Sequence, residues 1–310
     1  MQTTRIEIRK INHQETGNSA GNENAALDKT DDLVVIEEPL QVLLKSYSDN
    51  VTVLLSTVMT TMRTPGHDIE LVKGWLNTQT FINRSDIQSI TQADTPNLIF
   101  INAKTGFRLD TSKLTRLAPV SSSCGICGDA EIEKISSLSS VTSLFKIVIS
   151  PHMIDTLIEN ARANSDMFNT TGGSHASAIF NLQGETINPQ LIRVREDVGR
   201  HNALDKVIGS FTTPTLSNTA LVLSGRVSAD LMQKVIRAGI PLVISVGAPS
   251  SLAVELAESV GIVLIGFVKR DSFNIYAGHK QVIIALDDEV EHTPQFQKDL
   301  SKAQNEKSHD

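Results

Sequence analysis

Residues 121–128 read SSSCGICG and carry Cys124 and Cys127, the only two cysteines of the chain. Two thiols separated by two residues can share a metal, close a disulfide or hand on a sulfur atom. Zinc needs two further Cys or His ligands at short spacing. No second CxxC is present, and His152, His175 and His201 each stand isolated. A nucleobase deaminase places a proline before its first cysteine, whereas Ser123 precedes Cys124. A thioredoxin-like pair opens a helix in a βαβ context; this pair lies between a hairpin region and a polar stretch. Free cysteine is often buried filler, but filler does not favour a polar, glycine-flanked loop. The chemistry that remains is nucleophilic. A thiolate attacks a donor persulfide and becomes Cys–S–SH. Its outer sulfur then moves to an acceptor, and the second thiol assists release by forming a disulfide. No metal ligand set is expected.

A second constellation is RVREDVGRHNALDK at 193–206. Read as a helix over 197–211, it places Asp197, His201 and Asp205 at i, i+4 and i+8 on one face. Such a face is either an acid–base site or a structural ion network. Further on, Ser224-Gly225-Arg226 and Gly247-Ala248-Pro249-Ser250 each follow an apolar run and precede a helical pattern. Loops at strand ends bind ligands in open α/β sheets, and helix N-termini there offer N–H groups to phosphates. Arg226, Lys269 and Arg270 add positive charge, although each short motif is equally an ordinary turn. His175 follows Gly172-Gly173; it is either a general acid–base or a hydrogen-bonded structural histidine.

Those residues need a scaffold, and the 310-residue chain is long enough for one large domain or two ordinary ones. A net charge of −7 gives no overall basic field for nucleic acid. No apolar run reaches the length of a membrane span, and residues 1–29 lack the apolar core expected of a secretory signal. Two cysteines make no disulfide framework and fit a reducing, cytoplasmic setting. Residues 4–11 alternate as a strand, while 12–32 read as a mobile linker, with order beginning at Leu33. A hairpin turns at 48–50, and a helix with Thr64 or Asp68 as cap runs through Ile69, Val72, Trp75 and Leu76. A second hairpin is expected from 97–103 and 107–111. A helix starts at Ser150-Pro151. From 171 onward three buried runs, 220–223, 242–246 and 262–267, alternate with helical patterns. This predicts a parallel sheet with crossover helices, followed by a last strand at 273–276. The expected division is a flexible segment over 1–32, a small α+β domain over 33–120, an α/β domain over 121–286 and a disordered tail over 287–310.

Six segments in fixed order resemble the FdhD family: TPGHD at 64–68, SCGICG at 123–128, TGGSHASA at 171–178, REDVGRHNALDK at 195–206, LSGRVSADLMQK at 223–234 and GFVKRDSFNIY at 266–276. The resemblance covers about residues 33–285. It implies a sulfurtransferase that takes sulfur from a cysteine desulfurase. The sulfur passes to the molybdenum (or tungsten) bis-guanine-dinucleotide pterin cofactor before its insertion into formate dehydrogenase. Cys124 would bear the persulfide and Cys127 would be its partner. The cofactor-contacting segment would match Phe267, Val268, Lys269, Arg270, Asp271 and Ser272, with Gly225 and Arg226 beside it. His175, Asp197 and His201 would support the transfer. Ser272 stands where the family often has a basic residue. The implied fold is a cytidine deaminase-like three-layer sandwich with a mainly parallel sheet, in a cytoplasmic homodimer. The competing readings are a cofactor-binding chaperone without catalysis and a zinc nucleobase deaminase on a related fold.

Overall fold

The structure is a computed structural model that describes residues 2–12, 26–48, 51–79, 81–110, 147–182, 189–212, 216–270 and 272–285. Cys124, Cys127, Asp271, the serine-rich residues 136–143 and the C-terminal tail lie outside the described residues, as do the expected domain junctions at 120/121 and 286/287.

The first unit is a four-stranded sheet in the order β4-β3-β6-β5. Its strands are β3 (Glu38–Ser48), β4 (Val51–Arg63), β5 (Ile87–Gln92) and β6 (Leu98–Ala103). The hairpin expected around 48–50 is the antiparallel pair β3–β4. The second expected hairpin is not formed: β6 pairs antiparallel with β5 and parallel with β3. Phe107 and Leu109 alternate because they seal the core rather than pair with a strand. Helix α1 (Asp68–Leu76) closes one face of this sheet, burying Leu71, Val72 and Leu76 against Leu40, Val42, Leu44, Ile99 and Ile101. No side chain caps its N-terminus. Asp68 instead pairs bidentately with the buried Arg63, at 2.9 and 2.8 Å.

Ahead of this sheet lies a second correction. Strands β1 (Thr3–Asn12) and β2 (Ala26–Val35) form an antiparallel ribbon, so the presumed linker is partly a strand. Cross-strand ion pairs, Lys29 with Glu7 at 3.2 Å and Arg5 with Asp31 at 3.8 Å, explain the charge-rich composition. An exposed ribbon presents charge on both faces, and such a pattern imitates disorder.

The larger sheet has the order β13-β12-β11-β10-β8-β9. It comprises β8 (His175–Asn181), β9 (Gln190–Asp197), β10 (Thr219–Leu223), β11 (Leu242–Ser245), β12 (Val263–Lys269) and β13 (Ser272–Ala277). The expected parallel run is its centre, β10-β11-β12. Both flanks are antiparallel, so the sheet as a whole is mixed. The reason is connective: helical crossovers join β10 to β11 and β11 to β12, whereas too few residues separate β8 from β9, or β12 from β13, to hold one. Helices α4 (Arg200–Gly209), α5 (Ala229–Ala238) and α6 (Ser251–Val260) cover one face. Helix α2 (Pro151–Ala163) covers the other, its Met153, Ile154 and Leu157 packed on Phe180, Val222 and Ile244. Ser150 caps α2 as the sequence predicts, accepting from Met153 N at 3.1 Å. A short helix α3 (Asp166–Thr171) follows α2, and a parallel pair, β7 (Ile147–Ile149) with β14 (Val282–Ile284), completes the described elements. Among them no helix is long and apolar enough to cross a membrane.

The two units meet where α1 crosses α4. A Cβ on Gly74 would lie 1.9 Å from Asp205 O, and one on Gly209 would lie 1.8 Å from Glu70 O. Only glycine lets the two backbones approach this far. Beside the crossing, Arg195 grips Glu70 through Nε at 2.6 Å and Nη2 at 2.9 Å. Burial alone would raise the Glu70 pKa, but the Arg195 guanidinium outweighs it and holds the carboxyl below its ordinary 4.5.

Two outcomes follow. Gly74→Ala and Gly209→Ala should each destabilise the fold by about 2–3 kcal/mol, the overpacking range, measured as denaturant midpoints. Glu70 has its pKa depressed in the folded state, so its contribution is present above about pH 4.5 and lost as pH falls through the folded value. Glu70→Gln should therefore cost about 1–2 kcal/mol at pH 7, and the gap to wild type should close in acid. A gap that persists undiminished at pH 2–3 would show that the ion pair is not its source.

Candidate functional site

The carboxyl ends of the parallel strands lie side by side. The loop after β10 holds Ser224, Gly225 and Arg226, and the loop after β11 holds Gly247 to Pro249. Phe267 N donates to Gly247 O at 3.0 Å, Val227 N to Ala248 O at 3.3 Å, and Ser250 N to Val227 O at 2.9 Å. Antiparallel β8 begins at this same edge, which brings His175 beside the loop after β10. Its Nδ1 is 3.5 Å from Ser224 Oγ, which in turn accepts from Ala176 N at 2.9 Å. A Cβ at Gly225 would sit 3.1 Å from His175 Nδ1; glycine here is what admits the imidazole.

The charges at this edge come from helix starts as well as side chains. Helix α5 has Ser228 as N-cap and no side-chain cap bond, and α4 starts at Gly199 with none either. Both leave N–H groups and the positive end of a helix dipole for an anion. The third start, α6, is filled by its own Ser250, which accepts from Ala253 N at 3.3 Å. Arg200 stands on the first turn of α4, its Cδ 4.0 Å from where a Gly225 Cβ would lie, and Arg226 is exposed in the loop after β10. Arg200 was not among the expected site residues; its one signal in sequence is its place at a helix start behind Gly199.

Both histidines are neutral in this field. Burial, then the Arg200 charge, lowers the His175 pKa below 6.5, with Asp197 opposing. Burial, Lys234 and Arg200 push His201 down to about 4, with Asp230 opposing. His201 Nε2 is buried without a hydrogen-bond partner.

Asp197 is the clearest departure from the sequence reading. It is the last residue of β9, not a helical neighbour of His201 and Asp205. Gly199, extended, separates strand from helix, so the i, i+4, i+8 face does not exist. The Asp197 carboxylate is fully buried and fully engaged. It pairs with Lys206 Nζ at 2.7 Å and accepts from Thr64 N at 3.1 Å, Gly199 N at 2.9 Å and Asn202 Nδ2 at 3.2 Å. Asp205 meanwhile is bound by Lys234 at 2.8 Å. The glycine pair before His175 also has local work. Gly172 ends α3 in the left-handed region, and Gly173 packs on Val35 of β2.

In the segment 267–272, Phe267, Lys269, Arg270 and Ser272 face solvent, while Val268 is a member of the core under α2. Phe267 is 44% exposed and held at φ 54°, with Lys269 Nζ 4.3 Å from its ring centroid. A bulky residue in the left-handed region is strained, and such strain collects at functional sites. Here it turns an aromatic face outward at the strand ends, where sequence alone would bury it. His175, His201, Gly225, Arg226 and Phe267 thus gather on one sheet edge. Asp197 underlies that edge without reaching its surface.

Comparison with known proteins places this arrangement. Residues 35–283 match the model of the FdhD/NarQ family. A sulfur carrier protein FdhD from Corynebacterium efficiens is 40% identical over 265 residues, covering 80% of this chain and 90% of that protein. Those of Sulfolobus acidocaldarius and Streptomyces coelicolor are 37% and 35% identical, covering 82% and 84% of this chain and 92% and 93% of their own lengths. A crystallised candidate formate dehydrogenase accessory protein from Desulfotalea psychrophila shares the fold, with a TM-score of 0.65 at 21% identity, over 91% of this chain and all of that one. The chain belongs to the FdhD/NarQ family.

Proposed function

We propose that the protein is a sulfur carrier that serves formate dehydrogenase. Cys124 accepts sulfur from a cysteine desulfurase and delivers it to the bis-guanine-dinucleotide pterin cofactor of molybdenum or tungsten. In the first step the Cys124 thiolate attacks the outer sulfur of the donor's persulfide. The donor S–S bond breaks, its cysteine leaves as thiolate, and Cys124 becomes the persulfide. In the second, the Cys127 thiolate attacks the inner sulfur. The outer sulfur leaves at the oxidation level of hydrosulfide for the acceptor, and a Cys124–Cys127 disulfide remains, to be reopened by a thiol reductant. The names of the relatives support the sulfur chemistry.

The acceptor is a substrate rather than a resident group, and the observation that carries its binding is the strand-end cluster. Two uncapped helix starts, Arg200 and Arg226 fit pyrophosphate. The outward ring of Phe267 beside Lys269 fits a planar guanine. Arg270, Asp271 and Ser272 complete the segment in this reading, and Gly225 keeps the floor low. Neutral His175 and His201 hold and orient by hydrogen bonding. In the same reading the sandwich is cytidine deaminase-like, and the protein works as a cytoplasmic homodimer.

With a desulfurase and cysteine, the wild type should gain one sulfur, about 32 Da, on Cys124. Cys124→Ala should gain none and should lose activation of formate dehydrogenase by about a thousandfold or more. Cys127→Ala should load normally but release slowly. Full activation by Cys124→Ala sinks the carrier reading; absence of any persulfide beside an active desulfurase transfers support to a non-catalytic chaperone. Independently, Arg226→Ala should weaken guanosine diphosphate binding about tenfold, with a shallower salt dependence in calorimetry. Unchanged affinity would remove the strand ends as the acceptor site.

A further inference from the structure

Among the described residues, the hydrogen-bonding side chain beside the His175 ring is Ser224, and Ser224 is itself fixed from two sides. The antiparallel ladder between β8 and β10 ends at Ser177 opposite Leu223. Ser224 extends it by one residue with the help of its side chain. Its N donates to Ala176 O at 3.1 Å, and its Oγ accepts from Ala176 N at 2.9 Å. The hydroxyl oxygen is thus anchored on the residue that follows His175 in the chain. Its own proton is not used in that bond. The acceptor within its reach is His175 Nδ1, at 3.5 Å.

The surroundings of the ring decide which nitrogen holds the proton. Asp197 lies opposite His175 in the β8–β9 register. Each of its oxygens already accepts twice, Oδ1 from Gly199 N and Asn202 Nδ2, and Oδ2 from Thr64 N and Lys206 Nζ. It has no lone pair left for an imidazole N–H. His175 Nδ1 and Cε1 lie 3.1 and 3.2 Å from where a Gly225 Cβ would be, and Arg200 Cδ lies 4.0 Å from the same point. The Nδ1 edge therefore faces the loop after β10 on the side where the Arg200 chain passes. Arg200 Nε is buried there without a hydrogen-bond partner. A cation on that side favours a lone pair at Nδ1 over an N–H, because the N–H would turn its positive end towards the charge.

A neutral imidazole carries one N–H. With Nδ1 as acceptor, that proton is on Nε2, and the half-buried ring leaves Nε2 open to a ligand.

We propose that Ser224 is a positioning residue: it donates to His175 Nδ1, fixes the ring proton on Nε2, and so aims a neutral N–H at an anionic oxygen of the acceptor. The identity of that acceptor, a pyrophosphate-bearing guanine nucleotide, rests on the sulfur-carrier reading. The tautomer does not.

The test begins with the wild-type chain alone. Imidazole nitrogen resonances at neutral pH, assigned by their loss in His175→Gln, should show a bare Nδ1 and a protonated Nε2. Ser224→Ala should move the ring towards the other tautomer, and Ser224→Thr, which keeps the hydroxyl, should restore it. Calorimetry with guanosine diphosphate is the second readout. Ser224→Ala should weaken binding about tenfold, and Ser224→Thr should stay within about threefold of wild type. His175→Gln, whose amide nitrogen takes the Nε2 position, should bind better than His175→Asn, whose amide takes the Nδ1 position. In the His175→Gln background, Ser224→Ala should add no further loss. A protonated Nδ1 in the wild type, a tautomer unmoved in Ser224→Ala, or a full loss from Ser224→Ala in the His175→Gln background would overturn the proposal. A wild type that holds the Nε2 proton yet binds no guanosine diphosphate would overturn the acceptor reading instead, and would uphold Ser224 as the residue that sets the ring.

Discussion

Asp197 and Lys206 form an ion pair with no solvent exposure, and most of the molecule is arranged around it. The ammonium also donates to Thr64 O at 2.8 Å, and the carboxylate accepts from Thr64 N at 3.1 Å. Thr64 Oγ1 in turn accepts from Val198 N at 3.1 Å. One threonine at the end of β4 is therefore bound on its N–H, its carbonyl and its hydroxyl by the larger sheet and α4. A buried ion pair is a weak source of net stability, because desolvation offsets attraction. Its value here is positional. Moving the two units apart would leave two buried charges and several backbone groups unpaired, which is more costly than losing contact area.

That joint fixes the strand-end edge. Asp197 lies opposite His175 in the β8–β9 register. Holding Asp197 therefore holds the start of β8, and with it the imidazole against Gly225. The same joint starts α4 at Arg200, which delivers a guanidinium and uncapped N–H groups to the edge. The resulting field is positive without being acidic. His175 and His201 both give up their protons to burial and to neighbouring cations. A chain of net charge −7 can thus meet an anionic ligand by local arrangement alone.

The regular elements were legible because their periods are long and unmixed. The parallel centre of the large sheet, α1, α2, α5 and α6 fall where the apolar spacing puts them. What was illegible depended on partners distant in sequence. Nothing local says that Asp68 serves Arg63 instead of capping α1, or that Phe107 and Leu109 cover a core instead of extending a hairpin. Asp197 was misplaced for the same reason. Its spacing to His201 is helical, but its partners are Thr64 and Lys206, and Gly199 breaks the path between. The strand-end loops were visible as glycine and serine between apolar runs. The outward turn of Phe267 was not, since aromatic residues in strands ordinarily face a core.

Alternation along β9 explains how one strand serves both faces of the sheet. Successive side chains point to opposite faces. Asp197 therefore meets Lys206 on the α4 face, while Glu196 meets the start of α3 on the other. Arg195, on the same face as Asp197, meets Glu70 of α1. A slip of one residue would send Glu196 towards Lys206 and Asp197 towards α3, and would carry Arg195 away from Glu70. Each carboxylate would then face a partner fitted to a different chain length, and the joint with Thr64 would open. The run Arg195-Glu196-Asp197 is thus a register lock. It holds α4 and α1 on one face of the strand and the start of α3 on the other.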